Sequence, residues 1–97
     1  MTYYIYILYS PSADKFYVGH SNDVARRLEE HNNPIRNTFT SKYLPWEMAC
    51  YFEVSEDRGG AMKAEQHIKK QKSKGFIKQL IASEYFRKLM LEQLQKQ

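Results

Sequence analysis

A chain of 97 residues with a formal net charge of +4 makes one small domain, large enough to form a single core without staples. Its lone cysteine, Cys50, excludes an internal disulfide, and no stretch approaches the length of a transmembrane span. The aromatic start lacks the basic opening and apolar run of a signal peptide, so the expectation is a cytoplasmic protein with no membrane association.

Tyr3 to Tyr9 is rich in aromatic and β-branched residues and reads as a strand. "SPSADK" carries turn formers, and Phe16 to His20 reads as a second strand, antiparallel to the first across so short a loop. If Tyr9 pairs with Phe16, then Leu8 faces Tyr17 and Tyr6 faces Gly19. Tyr4, Tyr6, Leu8, Tyr17 and Gly19 then share one face, which makes Tyr6 and Tyr17 diagonal neighbours. A one-residue slip would destroy that arrangement.

"SND" signals a helix start, and the helix "DVARRLEEH" follows. Val24 and Leu28 supply its apolar contact. Arg26 has Glu30 at i+4, whereas Arg27 has His31 there, so Arg27 is expected to keep its donors spare. Residues 32–45, "NNPIRNTFTSKYLP", read as a long polar loop broken by Pro34 and Pro45. "WEMACYFEV" alternates, which predicts a third strand with Trp46, Met48, Cys50, Phe52 and Val54 on one side. Cys50 falls among them, as a packed residue rather than a reactive thiol.

Ser55 and Asp57 can open a helix whose inward stripe is expected to hold Ala61, Met62, Ala64, Ile68 and Gln71. Glu65 sits inside that stripe, and an acid there needs a reason. Gly75 ends this helix. Phe76, Ile77, Leu80 and Ile81 mark a short amphipathic one, and Tyr85, Phe86, Leu89, Met90 and Leu94 a terminal one. Charge divides unevenly along the chain. Residues 1–60 hold six Lys/Arg against eight Asp/Glu, and residues 61–97 nine against three. Lys69, Lys70, Lys72, Lys74 and Lys78 form the densest cluster, which suits a polyanion. His20 and His67 have no metal-ligand spacing with Cys50, which excludes a zinc site.

"YIY" on the first strand, "YVG" on the second, the eight-residue step from Gly19 to Arg27, the closing "EEHN" and the later "EQHIKK" together resemble the GIY-YIG nuclease family. The likeness is greatest to its small stand-alone bacterial members, similar to the N-terminal nuclease domain found in excinuclease ABC. Tyr4 stands where the first motif has glycine, and Val18 where the second has isoleucine. The resemblance implies an α+β fold, a small three-stranded antiparallel sheet flanked by helices, over residues 1–83, with residues 84–97 as a C-terminal helical extension. It also implies a metal-dependent endonuclease acting on DNA in repair or processing. Tyr6 and Tyr17 would occupy the motif tyrosines, with Tyr17 as general base. Arg27 would stabilise the phosphate, and Glu65 would hold a divalent cation, Mg²⁺ or Mn²⁺. Gly19, His20 and His31 would support the site, and the lysines from Lys69 to Lys78 would bind nucleic acid. A monomer or weak homodimer is expected. The alternatives are a nucleic-acid-binding module without cleavage, motivated by the lysines, and a protein-interaction scaffold built on the terminal apolar helix.

Overall fold

The computed structural model describes residues 1–34 and 40–96; residues 35–39 of the expected 32–45 loop lie outside the described residues. Three antiparallel strands, β1 (Tyr3–Ser10), β2 (Lys15–Ser21) and β3 (Glu47–Ser55), form a sheet in the order β2-β1-β3. The register of the first hairpin is the expected one: Tyr9 opposite Phe16, Leu8 opposite Tyr17, Tyr6 opposite Gly19. Asp14 takes the positive φ of 51° that the turn needs, a conformation its short polar side chain tolerates. The Tyr9 hydroxyl donates to its carboxylate at 2.8 Å.

As the central strand, β1 is covered on both faces, which explains why Ile5, Tyr6, Ile7 and Leu8 are all buried without alternation. Ile5, Ile7 and Val18 face one cluster. It is completed by Ala64 and Ile68 of α2 (Arg58–Lys70), Leu80 of α3 (Lys74–Ala82), and Met90 and Leu94 of α4 (Glu84–Gln95). Tyr6 and Leu8 face the other, with Trp46, Met48, and Val24 and Leu28 of α1 (Val24–Asn32). The α+β architecture expected from the sequence is therefore present. α1 covers one face of the sheet and α2 the other.

The alternation along β3 holds only in part. Ile7 lies opposite Cys50 but Leu8 opposite Met48, so Ala49 is one residue too many for the ladder. Such a bulge exchanges the two faces. Trp46 and Met48 pack with Tyr6, whereas Ala49, Phe52 and Val54 pack with Ile5. Cys50 is half-buried, and burial pushes its thiol pKa up, as befits packing. The inward stripe of α2 is also narrower than expected. Ala61, Ala64 and Ile68 are buried, but Met62 and Gln71 are exposed.

Side-chain caps set the helix starts. Asp23 accepts from Arg26 N, Asp57 from Gly60 N, and Ser73 from Phe76 N. Ser83 ends α3 and caps α4 by accepting from Phe86 N. Arg87 Nη1 donates to Leu80 O at 2.6 Å, tying the last carbonyls of α3 to α4. No helix among the described residues is long and apolar enough to cross a membrane.

Candidate active site

At the free edge of β2, side chains from both faces of the sheet converge. Tyr6, Tyr17 and Gly19 come from the hairpin, Arg27 from α1, and His20 and Glu65 from the face covered by α2. All six line one cavity of about 410 Å³, together with Arg26, Arg58 and neighbouring residues of the β2 end. The sequence placed Tyr6 beside Tyr17, and their ring centroids lie 6.3 Å apart.

Tyr6 is buried, not half-exposed at a sheet surface. Gly19 makes this possible, because a Cβ there would collide with the Tyr6 phenol. Burial, opposed by the hydrogen bond from Arg27, pushes the Tyr6 pKa up to about 12. The hydroxyl therefore keeps its proton. It accepts from Arg27 Nε at 3.4 Å and donates to His31 Nε2 at 3.0 Å. With Nε2 accepting, the proton of the neutral imidazole sits on Nδ1, 2.9 Å from Thr40 Oγ1. Burial, then the Arg27 charge, lowers the His31 pKa, in keeping with a neutral ring. The Tyr17 ring stacks 4.7 Å from this imidazole, centroid to centroid.

Two features of this relay differ from expectation. His31 bonds Tyr6 and Thr40 rather than serving the end of α1, and the Tyr6 hydroxyl is engaged by His31 and Arg27. Arg27 also has a carboxylate after all. Its Nη1 lies 2.9 Å from Glu30 at i+3, while Arg26 Nε is 3.9 Å from the same side chain. Asn32 and Thr40 escaped sequence reasoning. Asn32 Nδ2 donates to Trp46 O, and Trp46 N to Asn32 Oδ1, at 2.9 and 2.6 Å. This doubly bonded link fastens the end of α1 to the start of β3. The available signal was the "HN" that ends the helix.

The acid in the stripe of α2 has its reason. Glu65 is 19% exposed and reaches the cavity between His20 and Lys69: Oε1 lies 2.7 Å from His20 Nδ1, and Oε2 2.8 Å from Lys69 Nζ. Burial favours its neutral form, but the hydrogen bonds and charges of Lys69 and His20 outweigh this and hold its pKa below the usual carboxylate range. No group of three His, Cys, Asp or Glu side chains that could hold a metal occurs among the described residues. The donor set fits a hard cation held by one carboxylate and otherwise by water and phosphate oxygens.

The five lysines do not form one free patch. Lys69 turns inward, its Nζ 5.6 Å from the Tyr17 ring centroid. Lys74 donates to the Asp14 carboxylate at 2.9 Å. Lys72, at a φ of 48°, lines the groove that runs from Tyr17 along Phe16. Lys78 lies further along, beside Ile81 and Asp14, and Lys70 is exposed.

The model of the GIY-YIG catalytic domain matches residues 2–79. A UPF0213 protein of Listeria monocytogenes serotype 4b is 37% identical over 82 residues, covering 84% of this chain and 90% of that protein. Another, from Streptococcus pyogenes serotype M5, is 36% identical over 72 residues, 73% of this chain and 75% of that one. The structure-specific endonuclease subunit SLX1 of Debaryomyces hansenii is 39% identical over 54 residues, 50% of this chain but only 16% of that longer protein. The solution NMR structure of a UPF0213 protein from Bacillus halodurans superposes with a TM-score of 0.50 at 26% identity, over 84% of each chain. With four-fifths of its length matched by the family model, this chain belongs to the GIY-YIG family.

Proposed function

We propose that this protein is a metal-dependent endonuclease that cleaves DNA phosphodiester bonds, in repair or processing of DNA. The observation that carries this reading is the convergence of Tyr6, Tyr17, Arg27 and Glu65 on one cavity at the edge of β2. Arg27 is the phosphate stabiliser. Its Nε is committed to Tyr6 and its Nη1 to Glu30, so the fork is held while its other donors stay available to a phosphoryl oxygen. Tyr6, still protonated, positions Arg27 and is itself fixed by His31. Tyr17 takes the proton of the attacking water, next to the Lys69 ammonium. Glu65, ionised at neutral pH, is the ligand for Mg²⁺ or Mn²⁺, which would supply Lewis-acid stabilisation of charge on the phosphate. His20 orients that carboxylate.

The test is a panel of single-stranded, nicked, flapped and supercoiled DNA, with RNA alongside, incubated with Mg²⁺ or Mn²⁺. Tyr17→Phe and Glu65→Ala are each expected to lower cleavage by about 10²-fold or more. The reading fails if no substrate is cut, or if both variants cut like the parent. Binding without cleavage would instead indicate a non-catalytic module.

A further inference from the structure

Arg58 has no part in the chemistry described so far. It opens α2 beside Asp57, whose carboxylate is engaged with Gly60 N at 2.7 Å. Arg58 lines the same cavity as Glu65, yet it forms no ion pair or side-chain hydrogen bond among the described residues. Seven residues, two helical turns, separate it from Glu65. Both therefore project from one face of α2, about 10 Å apart along the axis. A phosphate at Glu65 and Arg27 is too far along the helix for Arg58 to share. From α1 on the opposite wall comes Arg26, whose bond to Glu30 is the longer of the two at 3.9 Å. The lining thus holds three arginines against one carboxylate, a balance that calls for a ligand with more than one negative charge.

We propose that Arg58 and Arg26 form a second phosphate subsite, which grips the backbone phosphate next to the one at Glu65. The identity of the ligand as a nucleic-acid strand rests on the nuclease reading. The subsite makes the cavity a holder of two consecutive phosphodiesters, so a mononucleotide would fill only half of it. Arg58 is then a positioning residue: it sets which bond of a strand lies at Glu65 and touches no reacting atom.

The test uses full-length protein carrying Glu65→Gln, so that binding is measured without cleavage. A fluorescent single-stranded oligonucleotide is compared with versions in which each phosphate in turn is a neutral methylphosphonate. One position is expected to weaken binding by roughly three- to tenfold. Adding Arg58→Gln should abolish the effect of that one replacement and no other, and should lower the slope of log affinity against log salt by about 0.7. Arg26→Gln should couple to the same position, and Lys88→Gln on α4 to none. Arg58→Lys, which keeps the charge without the fork, guards against a folding defect and should retain most of the salt slope. The proposal is overturned if Arg58→Gln weakens all versions equally, changes none, or if the Glu65→Gln protein binds no strand. Cleavage by the unmodified protein is scored separately, so the nuclease reading can fail while the subsite stands, and the reverse.

Discussion

Gly19 owes its identity to space rather than to backbone conformation, since no glycine in the described chain has positive φ. An added Cβ would stand 2.5 Å from Tyr6 Cζ. The ring belongs to a buried core side chain and has nowhere to move. Gly19→Ala is expected to destabilise the fold by about 1–3 kcal/mol and to displace the Tyr6 hydroxyl from Arg27. Urea denaturation and the cleavage assay would register the two effects separately. His31 gives a pH signature. Its folded pKa lies below its ordinary value of about 6.5, so between those values the unfolded chain binds more protons. Stability is then full above about pH 6.5 and declines as the pH falls toward the lowered value. Glu65, also lowered, adds its loss only below the ordinary carboxylate range. Urea midpoints at pH 7.5 and 5.5 should differ more for the parent than for His31→Gln, whose amide oxygen can still accept from Tyr6. Equal differences would refute the assignment of a neutral, buried imidazole. Of these contacts the sequence revealed the Tyr6–Gly19 pairing, because alternation in a tight hairpin fixes it. The Tyr6–His31 bond depends on where α1 docks, which no local pattern encodes.

At the scale of elements, α4 is the informative case. Its apolar residues read from sequence as a helix with two possible uses, packing or partner. Met90 and Leu94 are 3% and 8% exposed within the core cluster, whereas Leu89 is 41% exposed. Met90→Ala is expected to cost about 2–4 kcal/mol, while Leu89→Ala should stay within about 0.5 kcal/mol. Comparable urea midpoints for the two variants would contradict the packing of α4 on α3 and the sheet. The matched family region ends at residue 79, before α4, yet Ser83 serves both helices and Arg87 spans them. The β3 bulge marks the opposite limit of legibility. Alternation in "WEMACYFEV" reported a strand correctly but could not report an extra residue, because a bulge leaves composition unchanged and shifts only the parity. Length and polarity likewise concealed the link from Asn32 to Trp46, a contact between a helix end and the first residue past a loop.

For the molecule as a whole, the decisive quantity is how much of its positive charge is free to meet a polyanion. By sequence the second half is strongly basic, but folding brings acids from the first half against it. Asp14, at the tip of the β1–β2 hairpin, holds Lys74 through both its carboxylate and its backbone oxygen, at 2.9 and 2.7 Å. The hydrogen bond from Lys74, then that from Tyr9, keeps the Asp14 pKa below the usual range, so this pair persists at neutral pH. Lys69 is similarly matched by Glu65. Lys72 has no such acid among the described residues and stands in the groove leading away from Tyr17. If a strand leaves the cavity along that groove, as the proposed function requires, Asp14→Asn should release Lys74 and raise affinity at low salt. The slope of log affinity against log salt should steepen by up to about 0.7 for a single strand. Lys72→Glu should do the reverse. Fluorescence anisotropy over a range of KCl concentrations measures both. Slopes unchanged in both variants would mean that the strand takes another path, with Arg26 and Arg58 on the opposite side of the cavity as the remaining cationic exit. The combination of results therefore assigns a direction to the bound strand, because each end of the cavity has its own set of cations and each set answers to a different substitution.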